Sequence, residues 1–63
     1  GLDAYREIIS LAARHMKKDA WLVFEIGFDQ ADEVRKLLEM AGFEAISVAQ
    51  DTGQRDRVVT ARR

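Results

Sequence analysis

Glu25 is the residue of this chain most in need of a chemical explanation. It sits near the end of an apolar run, Trp21-Leu22-Val23-Phe24-Glu25-Ile26-Gly27, where an unpaired charge is costly to bury. Exposure at a strand end, an ion pair with Arg6 or Arg57, or contact with a bound substrate would each accommodate it. Gln30, just beyond Gly27, can donate a hydrogen bond to a peptide or cover the start of a helix. Arg55 and Arg57 could meet an acidic surface, although alternating charges on a hairpin also guard a sheet edge against pairing. His15 flanks an apolar helical stripe with no Ser, Cys or carboxylate at catalytic spacing, which suits packing at a helix end. Trp21 and Phe24 read as core, since no basic groove surrounds them to form a base-stacking platform.

Composition narrows the chemistry further. With no cysteine and one histidine, the chain has no plausible zinc set and no disulfide. Ten Lys and Arg against eleven Asp and Glu leave a net charge of −1, too little field to attract nucleic acid or an anionic membrane. No apolar run approaches the roughly 20 residues of a membrane span. There is no signal-peptide pattern, and an opening at Gly1 fits a trimmed or excised fragment. The lack of cysteine suits a reducing compartment, so the expected location is the cytoplasm. At 63 residues, one small domain (1–63) is the limit, and its core is marginal.

The elements that would position these residues follow from hydrophobic period. Leu2, Tyr5, Ile8, Ile9, Ala12 and Met16 recur at helical spacing and predict a helix over about 3–16 with Asp3 as its cap. The apolar run of 21–27 predicts a strand. Because it scarcely alternates, it reads as an interior strand of a parallel sheet covered on both faces. Asp29 is the expected cap of a second helix with Val34, Leu37, Leu38 and Ala41 inward, stopped by Gly42 in the left-handed position. From 45 to 50 the period becomes two, with Ile46 and Val48 on one side. Turn residues 51–54 then lead to a return strand over 56–61, making a hairpin. A right-handed crossover makes the first two strands parallel. The last strand could take an outer edge or slot between them.

Three segments of this pattern resemble a known family. Gly1-Leu2-Asp3-Ala4-Tyr5-Arg6, Glu25-Ile26-Gly27 with Gln30, and Asp51, Gly53 and Asp56-Arg57-Val58-Val59 are similar, in that order, to the C-terminal part of the HemK-type methyltransferases. That family uses S-adenosylmethionine to methylate a glutamine side-chain nitrogen in peptide chain release factors. The connection before Trp21 departs from the family's frequent Lys-Pro-Gly-Gly, since Lys17-Lys18-Asp19-Ala20 stands there. The family's glycine-rich cofactor loop and Asn-Pro-Pro-Tyr motif have no counterpart, because the chain contains no Gly-x-Gly and no asparagine.

The resemblance implies a two-layer α-β-α-β-β fragment of a Rossmann-like domain. Its three-stranded mixed sheet would have order 1-3-2, with both helices on one face and helices from elsewhere covering the other. It further implies S-adenosylmethionine as the parent enzyme's cofactor, none for this chain alone, and two partners: the rest of the domain and a release factor. Ligands of open α/β sheets gather beyond the carboxyl ends of the parallel strands. The helix entry, the loop from Gly27 to Gln30 and the hairpin turn would share that rim. Arg6, Glu25, Gly27, Gln30 and Arg57 are accordingly its substrate-rim candidates. The alternative from another class is a free-standing interaction module that self-associates through an open sheet face or edge.

Overall fold

Each element of the chain is organised by a short apolar stripe. The order is α1 (Asp3–His15), β1 (Trp21–Glu25), α2 (Ala31–Met40), β2 (Glu44–Gln50) and β3 (Asp56–Arg62). The computed structural model describes residues 2–27, 29–50, 53 and 56–63, with Asp56 and Arg57 described by backbone alone. The expected turn residues Asp51, Thr52 and Gln54, and Arg55 beside them, therefore lie outside the described residues.

In α1 the stripe is centred on Ile9, which is buried, with Leu2, Tyr5, Ala12 and Met16 packed along it. Ile8 was expected in this stripe but is 44% exposed, because the positions 5, 9, 12 and 16 leave it on the flank. Asp3 does not cap the helix. Leu2 holds the cap position, and Asp3 is already helical, reaching Arg6 at 3.5 Å with both side chains largely exposed. Its charge in the first turn still suits the helix dipole.

Ala31, Val34 and Leu38 bury one side of α2, while Leu37 and Ala41 pack at its margin. Asp29 is likewise not the cap. Gln30 takes that position without a side-chain cap bond, since its N–H closes a turn onto the Gly27 carbonyl at 2.9 Å. The far end of α2 matches expectation. Gly42 has φ +89°, its N–H donates to Glu39, and the Phe43 N–H donates to Leu38. These two bonds are those of a Schellman stop, and Phe43 folds back into the core. A Cβ at Gly42 would meet Arg63 at an ordinary 3.6 Å, so only the dihedral opposes it. Gly42→Ala is expected to cost about 1–2 kcal/mol, measurable as a shifted urea midpoint.

The sheet has the order β1-β3-β2, so the last strand does slot between the other two. Both ladders are antiparallel, which corrects the expected mixed sheet. A hairpin makes β3 run against β2, and inserting it beside the co-directional β1 makes the second pairing antiparallel as well. β1 and β2 share a direction without touching as a pair. Within this chain β1 is thus an edge strand, not the interior strand that its apolar run suggested.

Alternation sorts the sheet into two faces. Phe24, Val59 and Val48 align across the three strands, as do Leu22 and Ala61. Val59 and Ala61 are fully buried in one cluster with Ile9, Val34 and Leu38. Both helices therefore cover the same face, as expected. Arg35 adds a bond from α2 to the Ile46 carbonyl at 3.2 Å. On the other face lie Trp21, 56% exposed, and Val23, 60% exposed, with Val23 opposite Thr60 and Thr60 opposite Ser47. Trp21 was expected in the core, but none of the described residues buries it.

The expected alternation of β2 begins with an irregularity. The register slips between Glu44 and Ser47, and Ala45 takes φ +52°. An extra residue at a bulge restores the inward aim of Ile46 and Val48. Beyond the bulge, Arg62 meets Glu44 across the strands at 3.2 Å.

Candidate functional site

Tyr5, Gly27 and Gln30 meet beyond the carboxyl end of β1. Tyr5 projects from the first turns of α1, and its ring lies against Phe24 of β1 with centroids 6.0 Å apart and planes tilted by 36°. That contact carries the hydroxyl to the end of the strand. There it accepts a hydrogen bond from the Gly27 N–H at 3.2 Å and donates one to Gln30 Oε1 at 3.0 Å. The Gln30 N–H closes the loop onto the Gly27 carbonyl. Two segments far apart in sequence, the first turns of α1 and the loop after β1, are joined by one phenol oxygen.

The glycine is a steric requirement of this arrangement. A Cβ at position 27 would lie 2.7 Å from Gln30 Oε1 and 3.3 Å from its Cδ. The Gln30 side chain can swing aside, so Gly27→Ala is expected to cost about 1 kcal/mol, the loss of roughly one hydrogen bond. Its signature is a downfield-to-upfield change at the Tyr5 hydroxyl contact in NMR, with helix content unchanged by circular dichroism.

Arg6 and Glu25 do not join the cluster. Arg6 points to Asp3, not to Glu25. Glu25 is exposed and, by the alternation of β1, shares the open face with Trp21 and Val23; among the described residues it makes no ion pair. Its exposure is one of the three expected accommodations. Arg57 lies in β3 next to Val58, the partner of Glu25 in the ladder, and its side chain is outside the described residues. His15 is exposed in the last turn of α1, where its position suits the dipole and gives it little packing.

Sequence reading placed Tyr5 only in the apolar stripe and so missed it as a member of the site. The available signal was its hydroxyl, since a Tyr O–H at a packed position usually finds a partner.

A groove of about 380 Å³ opens at the opposite end, lined by Met16, Lys18, Asp19, Gly42, Glu44 and Arg63. Of its four charged residues, Arg63 is occupied by the fold. Arg63 Nε donates to the Ala13 carbonyl at 2.9 Å, its guanidinium stacks 5.7 Å from the Phe43 ring centroid, and its backbone pairs with Asp19 and Ala20. This end is a structural clasp between α1, the α2 stop and the sheet. No helix among the described residues is long and apolar enough to cross a membrane.

Known proteins are similar to nearly the whole of this chain. A release factor glutamine methyltransferase of Fusobacterium nucleatum is 41% identical over 63 residues, which are 100% of this chain and 18% of that protein. One from Xylella fastidiosa is 45% identical over 62 residues, 98% of this chain and 22% of that protein. One from Clostridium acetobutylicum is 43% identical over 61 residues, 97% of this chain and 21% of that protein. No family model and no solved structure matches the chain. The chain spans about a fifth of the length of the curated relatives it matches. Over its whole length, it is related to the C-terminal fifth of the release factor glutamine methyltransferases, the family that its three motifs resemble.

Proposed function

We propose that this chain is the C-terminal portion of an S-adenosylmethionine-dependent methyltransferase that methylates a glutamine side chain of peptide chain release factors. Residues 1–63 form one small unit of that enzyme's domain. It supports the sheet and lends the loop from Gly27 to Gln30 to the substrate rim, with Arg6, Glu25 and Arg57 as outlying rim positions. The observation that carries the reading is similarity along the full chain at 41–45% identity to three enzymes so named. Their activity in turn suggests a cytoplasmic protein whose partners are the remaining domain and a release factor.

The residues present do not fit the cofactor. The Tyr5 hydroxyl is engaged on both sides, and the Gln30 side chain stands where a Cβ on Gly27 would lie. The chain also has no Gly-x-Gly to cradle a nucleotide-like group. S-adenosylmethionine would therefore be held by the rest of the enzyme, and this chain alone is expected to bind none of it.

The test is transfer of a labelled methyl group from S-adenosylmethionine to a release factor by the complete protein that contains this segment. Label on a glutamine supports the reading, and an unmodified release factor in the presence of bound cofactor removes it. The exposure of Trp21 and Val23 favours one rival, a self-associating module. Sedimentation of the 63-residue chain decides between them: a defined dimer that buries Trp21 favours the module, and a monomer excludes it.

A further inference from the structure

The Tyr5 hydroxyl fixes which way the Gln30 carboxamide faces. A backbone N–H can only donate, so the Gly27 N–H at 3.2 Å occupies a lone pair of the phenol oxygen. The hydroxyl proton must then go to its other neighbour, 3.0 Å away, and that atom must be the amide oxygen. With the amide reversed, the phenol oxygen would receive two donors and its own proton would have no acceptor. Gln30 Nε2 consequently faces away from Tyr5, and among the described residues its two N–H groups meet no partner. Gln30 is itself only partly buried, so this donor is open to a ligand at the rim.

The surroundings specify the ligand's chemistry. Asp29 Oδ1 comes within 3.4 Å of the Cβ position of Gly27, Glu25 stands exposed at the end of β1, and Arg6 is turned to Asp3. Carboxylates beside a neutral N–H donor disfavour an anion and leave a neutral carbonyl as the matching acceptor. We propose that Tyr5 is a positioning residue that holds Gln30 with Nε2 outward, as a hydrogen-bond donor to a backbone carbonyl of the protein substrate. This inference rests on the methyltransferase reading above.

Q30E separates orientation from donation, because a carboxylate still accepts from Tyr5 yet presents no outward donor. In the complete methyltransferase, Q30E is expected to raise KM for the release factor about three- to tenfold, the worth of one hydrogen bond. KM for S-adenosylmethionine should stay unchanged and kcat should stay near wild type. Y5F should produce the same rise in KM by releasing Gln30. Amide exchange at Gly27 should remain slow in Q30E and quicken about tenfold in Y5F, again one hydrogen bond. A Q30E enzyme with wild-type KM for release factor overturns the inference while leaving the methyltransferase reading intact. So does a Gly27 amide indifferent to Y5F. A wild-type protein that transfers no methyl group to release factor overturns both.

Discussion

Leu38→Ala is expected to unfold most molecules of this 63-residue chain at room temperature. Leu38 is fully buried between Val34 and Val59, and its own carbonyl receives the Phe43 N–H that ends α2. Truncating a buried leucine removes transfer free energy and leaves a cavity, together costing about 2–5 kcal/mol. A core this small seldom supplies more than about 3–5 kcal/mol in total, so the loss matches the whole margin. Helix 2 is also the element that joins α1 to β2 and β3. Urea titration by circular dichroism checks this. Met40→Ala, two residues on in the same helix but at a position 85% exposed, should move stability by no more than about 0.5 kcal/mol.

Trp21→Ala should give two different answers in two settings. In the isolated chain Trp21 is 56% exposed, and losing it is expected to cost less than about 1 kcal/mol. In a complete methyltransferase, whose remaining elements would cover the open sheet face, the same substitution is expected to cost about 3–5 kcal/mol, as for a buried tryptophan. Val23, 60% exposed and on the same face, should follow the same pattern at smaller scale. Parallel thermal melts of the two proteins measure the difference. Equal small effects in both would mean that the face stays wet in the enzyme as well, and the segment would then be an appendage and not a part of its sheet.

Much of this fold was legible because its signals are local. Gly42 after an amphipathic stretch foretold a left-handed stop, and alternation through Ile46 and Val48 foretold a half-covered strand. Burial was harder, because an apolar side chain does not record which surface will cover it. The run around Trp21 therefore read as interior and parallel, whereas in this chain it is an antiparallel edge. The position of β3 was open from the residues alone and followed from the resemblance, since a hairpin specifies direction but not neighbour. Helix entry failed at Asp3 and Asp29, where two good capping residues stand one position inside and one position outside the observed caps. The bulge at Ala45 left no trace, because alanine is not the residue that a positive φ favours. Gly27 and Gln30 stood out in the sequence, and the structure joins them through one hydroxyl. Tyr5 did not stand out, because its hydroxyl finds partners 22 and 25 residues away that helical periodicity does not report.

The placement of β3 also governs when this structure can form. Its central strand is the last of the three in sequence, and β1 and β2 have no pairing with each other. Within this chain the pairing of both earlier strands waits for residues 56–62, by which point the intervening helix is already complete. Non-local pairing of this kind slows folding and prolongs the exposure of strand edges. Removing only those residues would therefore leave β1 and β2 without the strand that joins them in this sheet.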